Sequence, residues 1–137
     1  MANDEKITSL KQCETTTYRG LGEEARTEYR KVCQIMIDRG TLKKDDLPVV
    51  AVYAQALVSS IGYQKRIDEE GPVVHYTDRY GAPKSEPSPY VKMKKDADKT
   101  ISTYALILGL SPLGRKRLKA EAPEQKSASE VWDEQED

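Results

Sequence analysis

A chain of 137 residues, 37% hydrophobic and 33% charged, suits one small domain with a lean core and rules out a fully disordered chain. Its formal net charge of −1 hides an asymmetry. From Glu121 onward seven acids face only Lys126, a net of −6, while the other 120 residues carry 21 bases and 16 acids, a net of +5.

Residues 1–21 are polar and Thr-rich, and we expect a flexible N-terminal arm with about one helical turn around Ser9–Cys13. The polar start, Met-Ala-Asn-Asp-Glu-Lys, lacks the apolar stretch of a signal peptide. Residues 22–120 read as a helical domain. Its first helix spans about Glu23 to Arg39, because Ala25, Tyr29, Val32 and Met36 recur at spacings of four, three and four. Ile35 and Ile37 are expected to widen that stripe, and Gly40 to end it. A second helix starts at Asp45 or Asp46, tolerates Pro48 in its first turn, and stops at Gly71-Pro72. Its stripe is Leu47, Val50, Ala54, Leu57 and Ile61, a heptad-like spacing suited to shallow packing against another helix. Gly62 interrupts this helix and points to a close approach or a bend.

Residues 73–82 are β-prone and then turn-prone, fitting a small hairpin or an extended loop, and Pro83, Pro87 and Pro89 keep the next stretch extended. A third helix, about Pro89 to Leu108, places Tyr90, Ala97, Ile101, Tyr104 and Leu108 on one face, and Gly109 ends it. Ser111-Pro112 reads as an N-cap followed by proline at the first helical position of a short basic helix. Residues 121–137 form an acidic tail too polar to build a core, expected to be disordered. The longest apolar run, Tyr104 to Leu110, is far short of the about 20 residues that span a bilayer.

The chain shows little that resembles a reaction centre. Cys13 and Cys33 lack CxxC spacing and have only His75 to join them, too few ligands for zinc. Ser59, Ser60, Ser85 and Ser88 have no nucleophile-elbow context, and Gly20 and Gly22 lack the Lys-Ser/Thr of a phosphate loop. Asp45-Asp46 fits a helix cap, and Asp68-Glu69-Glu70 fits solvated surface. We therefore expect no catalytic residue, no metal and no cofactor.

Three stretches together resemble one family. They are Leu21-Gly-Glu-Glu-Ala-Arg-Thr-Glu-Tyr-Arg-Lys-Val, then Gly40-Thr-Leu-Lys-Lys-Asp-Asp-Leu-Pro with Tyr53 and Glu70-Gly71 after it, then Leu108-Gly-Leu-Ser-Pro-Leu-Gly-Arg-Lys-Arg-Leu. In order and spacing, over roughly residues 21–119, they resemble phage terminase small subunits of the branch with a C-terminal Leu-Gly-Leu-Thr/Ser-Pro-x-x-Arg-x-Arg-Leu motif. The chain departs from that pattern at Tyr29, where the family commonly has Trp, and at Leu113-Gly114, where it has Ser-Ser. The second departure puts Gly114 inside a short helix and brings that helix's rigidity into question.

The resemblance implies a mainly α protomer with antiparallel long helices that assembles into a homo-oligomeric ring with a central channel. It implies binding to double-stranded viral DNA near the packaging start and presentation of that DNA to the large ATPase/nuclease subunit, in the cytoplasm of the bacterial host. Arg115, Lys116, Arg117 and Lys119 then become the leading DNA contacts, because Arg115 and Lys119 share a helical face with Lys116 beside them. Lys92, Lys95 and Lys99 form a second basic face, diluted by Asp96 and Asp98. Val131-Trp132, an apolar pair inside the acidic tail, is a candidate partner-docking motif. Two other readings stay open: a helical DNA-binding transcriptional regulator, and a helical oligomeric adaptor that binds no DNA. Against the regulator, the second helix is long and apolar where a recognition helix is short and polar.

Overall fold

The computed structural model describes residues 5–121, except for the side chains of Arg117, Ala120 and Glu121. Short 3-10 turns occupy Leu10–Cys13 and Lys44–Asp46. The regular elements in chain order are α1 (Thr16–Arg19), α2 (Glu23–Arg39), α3 (Leu47–Glu70), β1 (Val73–Thr77), β2 (Pro83–Pro87), α4 (Pro89–Leu108) and α5 (Pro112–Glu121). The fold is mainly helical with one small antiparallel ribbon.

Helix α2 forms where its apolar spacing predicts. Glu23 and Glu24 lie in its first turn and Arg39 in its last, each offsetting the partial charge of that helix end. Ala25, Tyr29, Val32, Cys33 and Met36 are buried. Ile35 does not widen this stripe: it is 43% exposed, and only Ile37 packs partly against the core. On α3 the expected stripe holds for Leu47, Val50 and Ala54, which are buried, but Ile61 is 68% exposed. Ile61 instead lies with Val58 along an open groove beside Glu24, Thr27 and Glu28 of α2.

Helices α3 and α4 run antiparallel. Ser60 donates to Asp98, and the Tyr63 and Tyr90 rings stack at 6.1 Å with Arg66 over Tyr90. Gly62 has no atom within 4 Å of a Cβ built on it, so it marks no close approach. The β1–β2 ribbon joins the two helices, with Val73 opposite Pro87 and Thr77 opposite Pro83. Its turn is closed by the Asp78 carboxylate, which accepts from the N–H groups of Tyr80 and Ala82, both at 2.9 Å. Every strand residue is exposed.

The expectation of a flexible arm over 1–21 is corrected for residues 5–21. Ile7, Cys13 and Tyr18 are buried in the core with Tyr29, Val32, Cys33, Leu42, Val50 and Leu108. Ile7 N–H donates to Leu42 and Lys44 N–H to Glu5, both at 2.9 Å, so the chain start runs beside the α2–α3 connection. The Tyr29 hydroxyl donates to the Cys13 carbonyl at 2.6 Å, and the Tyr18 and Tyr29 rings stack at 5.0 Å. A buried carbonyl stripped of that donor costs about 1–3 kcal/mol. Of the expected tail, residues 121–137, Glu121 falls within α5, and residues 122–137, with Val131 and Trp132, lie outside the described residues.

Candidate nucleic-acid interface

The turn between α4 and α5 sets the position of the basic helix. Gly109 closes α4 at φ 70°, with its own N–H donating to Leu106 and the Leu110 N–H to Ala105. The left-handed backbone strains any side chain at Gly109, and a Cβ there would also displace the tip of Leu118, 2.8 Å away. The Ser111 hydroxyl then accepts from the Gly114 N–H at 3.0 Å and caps α5 ahead of Pro112. Gly114 proves to be a packing glycine. Its missing Cβ would lie 2.7 Å from the Leu106 carbonyl oxygen and 3.0 Å from Leu106 Cα. Its place in the short helix therefore lets α5 seat on the end of α4.

Seating α5 there brings it to the C-terminal end of α2. Arg39 Nη1 donates to the Gly109 carbonyl at 3.1 Å. Arg39, Thr41, Leu108, Gly109, Arg115, Leu118 and Lys119 line a groove of about 510 Å³. The leucines supply an apolar floor and the three cations a rim, with no acid among the described lining residues. Lys6 reaches the same end of α2, its Nζ 3.2 Å from where a Cβ on Gly40 would stand. Arg115, Lys116 and Lys119 are exposed on α5; the Arg117 side chain lies outside the described part. Sequence reasoning missed Arg39 and Lys6. The only local sign for Arg39 is a cation in the last turn of α2, and nothing local ties it to Gly109.

The second basic face carries an intrahelical ion pair, in keeping with its dilution by acids. Lys94 pairs with Asp98 at 2.6 Å, and Asp98 also accepts from Ser60. The Lys94 ammonium first, and then the Ser60 hydroxyl, hold the Asp98 carboxyl below its usual range. Asp98 is thus turned toward α3. Lys92, Lys95 and Lys99 remain exposed on a neighbouring flank of α4, without an ion pair among the described residues. The two basic faces are not brought together, since Lys92 lies about 24 Å along the helix from Leu108.

The remaining polar residues have structural partners. Among the described residues no group of three or more His, Cys, Asp or Glu is placed to hold a metal ion. His75 meets only Ser85, at 2.9 Å across the ribbon. Cys13 and Cys33 are buried, hydrogen-bonded thiols whose pKa burial pushes up, and burial does the same to the Tyr29 hydroxyl. Asp46 accepts from the Lys43 N–H at 3.0 Å, while burial raises its carboxyl pKa. No described helix is long and apolar enough to cross a membrane.

These features define a small helical protein whose last helix lines a cation-rimmed groove. Compared with known families, residues 25–125 match the one described as phage terminase, small subunit, and the chain belongs to that family. Membership gives it a part in phage genome packaging. Neither the curated proteins nor the solved structures yield a match.

Proposed function

We propose that the protein is the DNA-binding, non-catalytic component of its terminase. It binds duplex viral DNA near the packaging start and presents it to the large ATPase/nuclease subunit, as a homo-oligomeric ring in the host cytoplasm, with no cofactor or metal of its own. Arg115, Lys116, Arg117 and Lys119 of α5, joined by Arg39, contact phosphates. Lys92, Lys95 and Lys99 add a second contact line, which a ring repeats around its circumference. Val131 and Trp132 serve as the docking motif for the large subunit. The observation that carries this reading is the α5 groove, where Arg39, Arg115 and Lys119 converge from α2 and α5. A regulator is disfavoured because α3, in the place of a recognition helix, is 24 residues long and buries Leu47, Val50, Ala51 and Ala54.

The test is a salt titration of duplex binding. Arg115→Ala with Arg117→Ala is expected to weaken binding more than Lys94→Ala with Lys95→Ala, because Lys94 is already engaged by Asp98. Each lost phosphate contact should lower the slope of log affinity against log salt by about 0.9. The loss should be similar on unrelated sequences, since phosphate contacts position rather than specify. Parental affinity and slope in an Arg115/Arg117 variant that still assembles would place the DNA surface elsewhere.

A further inference from the structure

The α5 groove has two chemistries, and duplex DNA satisfies one of them. Phosphates pair with the rim but leave Leu118, 41% exposed above the buried Leu108, uncovered. The groove's about 510 Å³ falls within the range, about 300–1,000 Å³, that takes a compact apolar group. Its complement is a large apolar side chain flanked by carboxylates. The same chain carries such a segment at 130–134, Glu-Val-Trp-Asp-Glu, within a stretch of net charge −6.

We propose that this segment docks in the chain's own groove, with Val131 and Trp132 on the leucine floor and Glu130, Asp133 and Glu134 toward the cationic rim. It thereby covers the DNA-contacting bases until duplex DNA displaces it. The covering role rests on the function proposed above; the docking does not. Reach is ample. The eleven residues that follow Glu121, up to Trp132, extend at most about 40 Å, whereas α5, ten residues long, spans about 15 Å. The groove is lined by Leu118 and Lys119 of that same helix, so the chain needs only to turn back along it. Arg39 is pre-positioned by its bond to the Gly109 carbonyl, which lowers the ordering cost of an ion pair there. Tethering raises the local concentration to about the millimolar range, so individually weak contacts suffice.

Trp132 is the only tryptophan, so its fluorescence reports on this segment alone. In the full chain without DNA, its emission should be blue-shifted and its quenching by acrylamide weaker than in a peptide of residues 121–137. Leu118→Glu and Arg115→Glu, each checked for parental helix content by circular dichroism, should restore quenching to the peptide level, and so should added duplex. If the segment is docked about nine-tenths of the time, Trp132→Ala should raise duplex affinity about tenfold. Peptide-like quenching in the parent overturns the docking. Protection that survives both Leu118→Glu and Arg115→Glu overturns this groove as the seat. Protection released by duplex, with unchanged affinity in Trp132→Ala, overturns the covering role. If a chain truncated after Ala122 binds no duplex even at low salt, the proposed DNA-binding function fails, and protection of Trp132 still supports the docking.

Discussion

Two helical glycines with the same local sequence signal do opposite work. Gly62 stands in open space on α3, so a methyl group there meets nothing. Gly62→Ala should stabilise the protein by about 0.5–1 kcal/mol through backbone entropy alone. Gly114 sits against the backbone of Leu106, which no side-chain rotation can relieve. Gly114→Ala should push α5 off α4, at a cost of about 1–3 kcal/mol typical of overpacking, and weaken duplex binding by moving Arg115. Thermal denaturation of the two variants checks the opposite signs. A Gly114→Ala protein as stable as the Gly62→Ala protein would mean that α5 does not seat on Leu106.

Elements differ in how far their own pattern governs them. Helix α2 buries the residues that its periodicity nominates, because one continuous face meets the core. Helix α3 obeys its stripe only where α2 covers it, and α4 buries only Leu108 fully. The β1–β2 ribbon contributes no buried residue, and the Ser88 N–H to Pro72 carbonyl bond, 2.8 Å, already closes its base. Replacing residues 74–86 by a short Gly/Ser link should therefore leave the helical circular dichroism intact. Its effect on stability should stay within about 0.5 kcal/mol, as for other exposed sites. Loss of cooperative unfolding in that variant would show that the ribbon holds α3 and α4 together.

At the scale of the molecule, apolar surface remains beyond what one lean domain covers. Val52 and Met93 are exposed and line a groove of about 550 Å³ between α3 and α4, and Val73, Val74, Tyr76 and Tyr80 are exposed on the ribbon. Such surface on a chain with a small core fits burial between copies, and a closed ring buries it on every subunit. We expect native mass spectrometry to report a homo-oligomer of more than four subunits, and Met93→Glu or Val52→Glu to shift it toward smaller species. A stable monomer at micromolar concentration would remove the ring from the proposed function.

The sequence by itself determined the three long helices and the short basic helix, because periodicity, glycine caps and the Ser111-Pro112 start act within a few residues of one another; it did not show α1, Thr16–Arg19. It also placed Arg115, Lys116 and Lys119 on one element, since charge spacing on a helix is local. What it left undecided depends on residues far apart in the chain. Ile7, Cys13 and Tyr18 look like sparse apolar residues in a polar arm until α2 offers Tyr29 and Cys33 to bury them. Asp98 pairs with Lys94 within α4, a local contact, but its second partner, Ser60, lies 38 residues earlier. Arg39 joins Arg115 because the Gly109 carbonyl, 70 residues on, fixes its guanidinium at the groove. Contacts at such separations carry no local signal, so only the tertiary structure could turn a basic helix into a basic groove.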